Sequence, residues 1–526
     1  MFLRDFLTRC SRTWGQKTAF ISGDQSRTWS ELESRVSTLA SVLQELGVKK
    51  GDAVASLGHE HLEKPEIVLA CMKIGAVRVG INWRYSAEQI LHILRDSNSK
   101  VAFIQGNCVE LLESHLDALR EENRILIGFR GDHGLPYDYD ELIDQSESVQ
   151  KLPELSPDDP AMYIYTSGTT GQPKGAEITQ ENLRESLIQG VLASGFNHED
   201  VWLNVTPHAG VTCVYTLVGL LNGLTTVLPA GDFNPSEFLQ LCEQHDVSCS
   251  VLVVTALRQV IQEQREENYD LSSFRMMAYG SETATPTVLR NAKQVLECDL
   301  IQYYGMTEVA APWVSLLWDE DHDKGLRDNE ELLSSCGKPN PFSELTILDD
   351  AGNELPPGQR GEICVAGDVV MKRYINLPKV TEETFEGRWY RTGDIGYRDE
   401  EGYFYLVDRM DFLIMSGAMK IYPSSVESVL DRLEALANVA VVGAPHPDWG
   451  ESAVAVVQPA RGQEIVPGDL LDHCREYLAD YEIPKHVHVV DEMPRGVTGK
   501  IDRVGLEEMF ADNPELLPWD VPEDTV

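Results

Sequence analysis

The sequence predicts an α/β protein with a large N-terminal domain of layered α/β subdomains, a small β-barrel-like part, and a small α+β C-terminal domain. Three observations support this prediction. The chain has 526 residues, more than one ordinary core accommodates. Short apolar runs alternate with amphipathic segments as far as about Glu344. The pattern then changes to turn-rich hairpins, and it changes again near Asp408.

Two helices of the N-terminal part are predicted from the residue pattern. Residues 30–46 place an apolar stripe on one face, and Gly47 follows as a C-cap. A second helix is predicted at residues 67–74, and Gly75 is expected to end it. These helices separate the apolar runs and so favour an α/β arrangement.

The apolar runs are short and are followed by helices or turns, which is typical of buried strands in parallel sheets. In chain order they are residues 53–57, 101–104, 125–129, 225–229, 250–254, 275–279 and 300–304. Beyond them, residues 345–348 and 362–365 indicate antiparallel hairpins, with a turn at 349–353. The last hairpins are those expected to form the barrel-like part.

The composition is that of a soluble globular protein with a strong acidic excess. It has 44 basic and 85 acidic residues, a net charge of −41. This argues against nucleic acid or an anionic membrane as a partner, because phosphate backbones need clustered Lys and Arg. A well-solvated surface explains the excess acid, and a source in salty surroundings is a second interpretation.

The ten cysteines indicate a reducing compartment. They include no Cys-x-x-Cys pair and no Cys/His cluster at metal-ligand spacing. The first residues carry charges where a signal peptide needs an apolar run, and no stretch approaches the roughly 18 uncharged apolar residues of a membrane span. We therefore expect a cytoplasmic protein with no integral membrane association.

The stretch from 163 to 175 is suited to holding a polyphosphate. An apolar run ends in a loop of small hydroxyl residues and glycines, so backbone N–H groups and hydroxyls can converge on phosphate oxygens. The loop residues are Thr166, Ser167, Gly168, Thr169 and Thr170, with Lys174 as the nearby positive charge. The spacing does not fit the Walker A pattern. Taken alone, such a loop is more often a turn or linker.

The motif Thr-Ser-Gly-Thr-Thr-Gly-x-Pro-Lys-Gly closely resembles the signature loop of the adenylate-forming (ANL) superfamily, which includes acyl- and aryl-CoA ligases. The resemblance extends in order from the helix at 30–46 to Lys500. It implies that a carboxylic acid and MgATP give an acyl-adenylate and pyrophosphate, after which CoA displaces AMP. ATP, Mg²⁺ and CoA are the implied cofactors, and a homodimer is compatible with the family.

Residues 303–308 follow a buried run, and they therefore lie at a strand's carboxyl end, where open α/β sheets bind ligands. A surface turn is the simpler explanation of the same residues. The segment resembles the family's Tyr-Gly-Met-Thr-Glu element, which implies that Tyr304 packs on adenine, Thr307 contacts the α-phosphate and Glu308 helps to hold Mg²⁺. Tyr303 and Gly305 belong to the same predicted nucleotide site.

Two further segments complete the predicted nucleotide site. Gly280, Ser281 and Glu282 resemble the segment at the adenine edge, although 281–283 depart from the common Gly-Ala-Pro form. Trp-Tyr-Arg-Thr-Gly-Asp resembles the element whose carboxylate, here Asp394, accepts hydrogen bonds from both ribose hydroxyls. Arg409 is implied to lie near ribose and phosphate.

The resemblance also divides the chain. It implies an AMP-binding domain at 1–408, a hinge at 409–411 centred on Asp411, and a mobile C-terminal domain at 412–511. Residues 512–526 are expected to be a solvated acidic tail. Pro-Arg-x-x-x-Gly-Lys resembles the loop whose lysine enters the site, so Lys500, together with Thr307 and Glu308, is the predicted catalytic set.

The sequence identifies the acceptor of the acyl group less clearly than it identifies the nucleotide site. Ser416, Gly417 and Ala418 resemble the pantetheine tunnel of CoA ligases, but Ala418 replaces a glycine and Met419 and Lys420 replace Glu and Asn. The alternatives are an amide synthetase that uses an amine, an enzyme that transfers the acyl group to a carrier protein or to an internal hydroxyl, and a non-catalytic nucleotide-binding regulator. Because no Gly-Gly-x-Ser attachment site follows Lys500, we do not expect a modular peptide synthetase with its own carrier-protein domain.

Three residues are predicted to line the pocket of the acid. His208 lies in a segment that resembles the family's Pro-x-aromatic-His stretch but is shorter, and a structural histidine is the alternative. Tyr279 and Met306 would make the surface apolar and aromatic. This suits an aryl or medium-chain acyl group.

Overall fold

The protein is described by a computed structural model that covers residues 1–146, 151–166, 172–229, 231–281, 284–417, 419–433, 435–496 and 500–519. The chain forms two compact units. The first consists of Met1–Thr346, Cys364–Tyr390 and Glu400–Phe404, and the second of Ile347–Ile363, Arg391–Asp399 and Tyr405–Val526. Asp411 therefore lies within the second unit. The domain boundary at 408 and the hinge stay predictions.

One sheet of the first unit carries the predicted phosphate loop. Its strands lie in the order Arg373–Tyr374, Lys174–Thr179, Pro160–Thr166, Val77–Ile81, Ala53–Leu57, Val101–Gln105, Ile125–Phe129 and Tyr137–Asp138. All neighbours from Pro160–Thr166 onward are parallel. Every residue of Ala53–Leu57 is buried, as expected for a strand covered on both faces.

A second sheet of the first unit carries the residues predicted to bind adenine. Its strands within this unit lie in the order Ser335–Pro339, Ala311–Leu317, Asp299–Met306, Met276–Gly280, Cys249–Val253, Val201–Leu203, Thr225–Val227, Thr18–Ser22 and Gln25–Thr28. The strands from Asp299–Met306 to Thr18–Ser22 are parallel. The predicted runs at 225–229, 250–254, 275–279 and 300–304 are confirmed as strands with ends shifted by one or two residues.

Helices separate these strands. The α-helices of the first unit are Leu3–Trp14, Trp29–Glu45, Glu63–Ile74, Ala87–Asp96, Gly106–Val109, Leu116–Glu121, Tyr139–Gln145, Gln180–Ser194, Cys213–Leu217, Gly219–Asn222, Pro235–Gln244, Val254–Glu267, Pro286–Leu296, Asp319–Asp328 and Pro378–Glu383. Within the described residues, each helix is too short or too polar to serve as a membrane span.

The helix Glu63–Ile74 begins a full turn earlier than the predicted 67–74. All its residues are buried, including Glu66, which accepts hydrogen bonds from Arg35 at 2.8 Å and from the hydroxyl of Tyr139. A charged first turn is normally solvent-exposed, so the sequence pattern excluded it. Partners from distant parts of the chain allow it to be buried.

Strands in the middle of the chain occur in the predicted hairpin region. Glu344–Leu348, Gly361–Ala366, Trp389–Arg398 and Phe404–Arg409 lie side by side in this order. The turn after the first of them is held by Asp349, whose Oδ1 accepts hydrogen bonds from the backbone N–H groups of Ala351 and Asn353 at 2.9 and 2.8 Å.

The C-terminal part of the second unit is an α+β structure. Its strands run in the order Met419–Ile421, Ile414–Ser416, Gly450–Pro459 and Leu436–His446, with His486–Val489 also paired to Gly450–Pro459. Its helices are Pro423–Leu430, Pro467–Tyr477 and Arg503–Asp512. Alternate residues of the two long strands point into separate cores on opposite faces of the sheet. The predicted fold class is confirmed.

Residues 512–519 differ from the predicted solvated tail. Leu517 is buried, the Trp519 ring lies 4.8 Å from that of His446, and Trp519 Nε1 donates to the carbonyl of Pro445 at 2.8 Å. The acidic and proline residues suggested solvent exposure, but the leucines and tryptophan between them cover one of the two cores. Residues 520–526 lie outside the described chain.

Candidate active site

The two ends of the predicted phosphate loop are neighbours in the first unit. Thr166 pairs with Lys174 across antiparallel strands, so the loop leaves and re-enters the sheet at one point. Ser167, Gly168, Thr169 and Thr170 lie outside the described residues. His92 Nε2 lies 3.0 Å from the carbonyl oxygen of Pro173, next to Lys174. This contact joins residues 81 positions apart, and no sequence motif predicted it.

Tyr374 joins the phosphate-loop lysine to the predicted magnesium ligand. Its hydroxyl donates to Glu308 Oε1 at 2.8 Å, and its ring centroid lies 5.7 Å from Lys174 Nζ. Tyr374 reaches this position because its short strand pairs with Lys174–Thr179. Sequence reasoning missed Tyr374 because it lies 66 residues from Glu308. It is the main addition that the structure makes to the site.

Two glycines allow the site strands to approach each other closely. A Cβ atom on Gly280 would lie 2.6 Å from the carbonyl oxygen of Tyr303, and one on Gly305 would lie 2.1 Å from that of Ala311. Both obstacles are backbone atoms, which cannot rotate away. The predicted Gly280 and Gly305 are therefore required by the strand packing that positions Thr307 and Glu308.

The side chains of Tyr303 and Tyr304 have different surroundings. The Tyr303 hydroxyl lies 2.5 Å from Ser194 Oγ, and its ring packs edge-on against Trp313 with centroids 5.8 Å apart. Tyr303 therefore belongs to the interior, and its predicted role at the nucleotide does not extend to its side chain. Tyr304 is the next residue on the strand, so its side chain points to the opposite face.

The predicted acid-pocket residues are also mainly buried. Tyr279 is fully buried, with its hydroxyl 2.8 Å from His322 Nε2. His322 Nδ1 lies 2.7 Å from the carbonyl of Trp318, so Nδ1 carries the proton and the tyrosine hydroxyl donates to Nε2. Burial lowers the pKa of His322. Tyr279 is thus a core residue and not an open pocket wall, whereas Met306 is half-buried at the strand end.

His208 has both ring nitrogens facing protein groups. Nδ1 lies 2.7 Å from Glu60 Oε2, and Nε2 contacts the hydroxyl of Thr216. The histidine is 1 % exposed. His208 is therefore a buried structural histidine, which was the alternative considered from the sequence. It links the predicted pocket segment to the buried carboxylate of Glu60.

Ser281 has an unusual backbone for a residue with a side chain. Its φ is +71°, in the left-handed region that favours glycine, and the common family form has glycine there. Glu282 lies outside the described residues. The departure from the family pattern at Ser281 therefore imposes local strain beside Gly280.

We expect Ser281→Gly to stabilise the protein by up to about 1 kcal/mol, because glycine adopts this φ without a Cβ clash. Thermal and urea unfolding measure the effect. Ser272→Gly is the matched control, since Ser272 is exposed and its φ is not positive. A stability gain of equal size in the control would contradict the strain interpretation.

In the second unit, Asp394 and Arg409 form an ion pair with 3.1 Å between Oδ1 and Nε. The Asp394 N–H donates to Thr392 Oγ1 at 3.0 Å, and Arg409 Nη2 donates to the Thr392 carbonyl at 3.2 Å. The segment lies within the strand Trp389–Arg398 and not in an isolated turn. The structure thus brings together the two residues predicted to contact ribose.

Lys500 is an exposed residue of the second unit. Its carbonyl accepts a hydrogen bond from Gly496 N at 2.8 Å, and Arg495 pairs with Ile501 in an antiparallel bridge. Asp502 then caps the helix Arg503–Asp512 through Gly505 N at 3.0 Å. Backbone hydrogen bonds and the helix cap therefore hold the chain on either side of this exposed residue.

The predicted CoA segment lies in another hairpin of the second unit. Ser416 ends one strand, and the N–H of Gly417 donates to the Trp449 carbonyl at 2.8 Å. Gly417 has a φ of +61°, and a Cβ would lie 3.2 Å from the Trp449 ring. Ala418 lies outside the described residues, and Asp411 is exposed in the single turn Met410–Phe412.

The residues present fit a magnesium ion that is held mainly by substrate. Glu308 is half-buried and offers a carboxylate, a hard oxygen ligand. The parts of the chain that the structure describes contain no group of three or more His, Cys, Asp or Glu able to hold a metal ion without a substrate. Magnesium commonly takes one or two carboxylates and completes its shell with phosphates and water.

Comparisons with known proteins agree along almost the whole chain. A family model described as AMP-binding enzyme matches residues 7–375, and one described as AMP-binding enzyme C-terminal domain matches residues 425–500. A feruloyl-CoA synthase from Amycolatopsis is 34% identical over 497 residues, which are 94% of this chain and 96% of that protein. An indoleacetate–CoA ligase from Aromatoleum aromaticum is 31% identical over 516 residues, which are 97% of this chain and 98% of that protein.

Two solved structures are similar in fold and sequence. The o-succinylbenzoate CoA synthetase of Bacillus subtilis, in complex with its acyl-adenylate intermediate, has a TM-score of 0.83 at 30% identity and covers 95% of this chain and 97% of its own. The same synthetase has been solved with ATP and magnesium ion. The amide bond synthetase McbA of Marinactinospora thermotolerans has a TM-score of 0.85 at 27% identity, with 97% and 100% covered.

Proposed function

The chain belongs to the AMP-binding enzyme family of the adenylate-forming superfamily, and from this premise we propose that it is an AMP-forming carboxylate–CoA ligase. The observation that carries the proposal is the contact of Tyr374 with both Lys174 and Glu308. It brings a phosphate-loop cation and a carboxylate suited to magnesium to one place at a strand's carboxyl end.

In the first half-reaction, a carboxylate oxygen of the acid attacks the α-phosphorus of ATP, and the bond to pyrophosphate breaks. Two anions approach each other in this step. The ammonium group of Lys500 offsets their repulsion as charge develops, and the Thr307 hydroxyl donates to the α-phosphate. Lys174 and the loop that follows Thr166 hold the β- and γ-phosphates, which leave together.

Other residues bind and orient the nucleotide. Asp394 accepts hydrogen bonds from the ribose hydroxyls, and Arg409 neutralises charge near the phosphates. The Tyr304 ring packs on adenine. Glu308 would hold Mg²⁺, which supplies charge neutralisation on the phosphates when bound.

In the second half-reaction, the thiol sulfur of CoA attacks the acyl carbon and loses its proton, the carbon–oxygen bond to phosphate breaks, and AMP leaves. Backbone at Ser416 and Gly417 is proposed to lie beside the pantetheine arm. A turn at Asp411 is proposed to exchange the residues that serve the two half-reactions. The relatives named as feruloyl- and indoleacetate–CoA ligases support an aryl-substituted acid as substrate, with a medium-chain acyl acid as the alternative.

An amide synthetase is the second candidate. Its specific support is the likeness to McbA together with the replacement of the CoA-ligase residues Gly, Glu and Asn by Ala418, Met419 and Lys420. In that case the lone pair of an amine nitrogen attacks the same acyl carbon, AMP leaves, and the nitrogen loses a proton.

Acid-dependent pyrophosphate release from ATP, measured over a panel of aryl and alkyl acids, tests the common first step. Mass spectrometry of the product with CoA alone, or with an amine alone, then separates the two candidates. We expect acyl-CoA and stoichiometric AMP in the CoA reaction. Amide formation without acyl-CoA would reverse the choice, and the absence of pyrophosphate release with every acid would contradict both.

A further inference from the structure

Four ionisable side chains lie together in the interior of the first unit. Glu60, Lys64, Arg78 and His208 have between 0 and 9 % of their surface exposed. Lys64 comes from the buried helix Glu63–Ile74 and Arg78 from the strand Val77–Ile81. Charged groups are rarely buried this completely unless each is paired.

The only carboxylate of the four is already engaged by His208. Glu60 Oε1 accepts the backbone N–H of His208 at 2.8 Å, and its Oε2 lies 2.7 Å from the ring Nδ1. Burial alone raises the Glu60 pKa, but the contacts with His208 and Lys64 outweigh it and lower the pKa to about 2. Glu60 therefore stays ionised across the physiological pH range.

The hydrogen bonds that the structure describes for the two cations, Lys64 and Arg78, go to backbone carbonyls. Lys64 Nζ reaches the carbonyl of Ser56 at 3.4 Å, and Arg78 donates through Nη2 to the carbonyl of His208. Within the described ranges, Nε and Nη1 of Arg78 and the hydroxyl of Ser56 are buried and have no hydrogen-bond partner. His208 Nδ1 and Glu60 Oε2 lie at ion-pair distance but also make no hydrogen bond within these ranges, so the cluster leaves several donors and one acceptor unsatisfied. Two full positive charges and one carboxylate thus share this interior, with donors left over.

The unmatched groups converge on one face of the sheet. Ser56 pairs with Gly80 across neighbouring strands, and Arg78 lies two residues from Gly80 on the same face. The guanidinium lies over Gly80, since a Cβ there would come within 2.3 Å of Nη2 and 2.6 Å of Nη1. The glycine therefore provides the space in which the guanidinium sits beside Ser56.

We propose that Ser56, Lys64 and Arg78 form a binding subsite for a second anionic group of the acid substrate, a carboxylate distant from the one that is activated. The proposal rests on the proposed function. A carboxylate would accept the unmatched N–H and O–H donors and balance the excess positive charge. Arg78 contacts the segment of His208, which resembles the family stretch along the acid pocket.

Matched pairs of acids that differ only by the distal carboxylate test the subsite. The pairs are adipate with hexanoate and terephthalate with benzoate, and the readout is the ratio of kcat/KM values for pyrophosphate release within each pair. We expect the wild type to prefer the diacid, and Arg78→Met to lower the ratio by about 10- to 100-fold, as for loss of a hydrogen-bonded charge. Lys64→Met is expected to act in the same direction.

Lys73→Met is the matched control. Lys73 is a buried lysine of the same helix, but it is paired with Glu33 at 2.7 Å. Its replacement perturbs the helix to a similar degree and should leave the ratio unchanged. An equal fall of the ratio in this variant would attribute the effect to packing and overturn the subsite.

Binding without turnover separates this proposal from the proposed function. Adipate alone is expected to raise the melting temperature of the wild type and not that of the Arg78→Met protein, even if no acid releases pyrophosphate. The same shift with inorganic phosphate, without a diacid preference in turnover, would reveal an adventitious ion only and overturn the proposal. Equal ratios in wild type and both variants would also overturn it.

The pH dependence of the ratio is a further readout. Burial lowers the pKa of Lys64 to about 8, with Arg78 acting in the same direction and Glu60 and Cys108 opposing. Lys64 is therefore mostly charged below about pH 7 and loses its charge as the pH rises through about 8 to 9. The diacid preference should weaken over this range, while a preference that stays constant would exclude Lys64 from the subsite.

Discussion

Lys500→Ala is expected to lower acid-dependent pyrophosphate release by about 10²- to 10³-fold, the loss typical when one preorganised group that stabilises transition-state charge is removed. The melting temperature should stay within about 1 °C of the wild type, because substitutions of exposed side chains rarely change stability by more than a few tenths of a kcal/mol. Lys500 is exposed, and backbone hydrogen bonds hold the neighbouring residues Arg495, Gly496 and Ile501.

The experiment needs both half-reactions and a matched lysine. Thioester formation from supplied acyl-adenylate and CoA should be affected far less than adenylation, because Lys500 is proposed to act while pyrophosphate leaves. Lys485→Ala is the control, since Lys485 is also an exposed lysine of the second unit. Equal pyrophosphate release by wild type and Lys500→Ala would remove Lys500 from the catalytic set.

The parts of the fold that could be predicted are those determined by local patterns. The strand Ala53–Leu57 was predicted to the residue because its mainly apolar run is short and bounded by Asp52 and Gly58. The first turn of Glu63–Ile74 was missed because its charged residues are stabilised by Arg35, Tyr139 and Arg130 from elsewhere in the chain. Long-range pairing of this kind leaves no periodic signal.

In the candidate site, too, local motifs could be predicted from the sequence and long-range contacts could not. The motifs located the segments, and the structure then assigned individual side chains within them. Tyr303 and Tyr304 are indistinguishable in the sequence, and both are buried, but strand alternation places them on opposite faces and the Ser194 contact identifies the face of Tyr303. Tyr374 was not predicted because only tertiary pairing brings it to Glu308.

Glu308→Gln is expected to lower adenylation by about 10²-fold and to raise the Mg²⁺ concentration for half-maximal rate by about 10-fold or more, since an amide is a far weaker ligand than a carboxylate of the same shape. Pyrophosphate release at a series of Mg²⁺ concentrations measures both quantities. A variant with normal Mg²⁺ dependence would contradict the assignment of Glu308 as a metal ligand.

Tyr374→Phe tests how that carboxylate is positioned. The change removes the 2.8 Å hydrogen bond to Glu308 Oε1 and keeps the ring over Lys174. A hydrogen bond to a charged group contributes about 1.5–3 kcal/mol, so we expect a 10- to 100-fold increase in the Mg²⁺ requirement. Tyr403→Phe is the control, because its hydroxyl donates to the carboxylate of Asp321 at 2.5 Å, away from the site motifs.

The double variant decides whether Tyr374 acts through Glu308. If the hydroxyl serves only to orient the carboxylate, its removal should have little further effect in the Glu308→Gln protein, and the two losses will not add. A loss of equal size in both backgrounds, with unchanged Mg²⁺ dependence, would show that Tyr374 supports the strand and not the ligand. The non-additive outcome would make Tyr374 a positioning residue for the carboxylate and connect the phosphate loop to the magnesium ligand through one side chain.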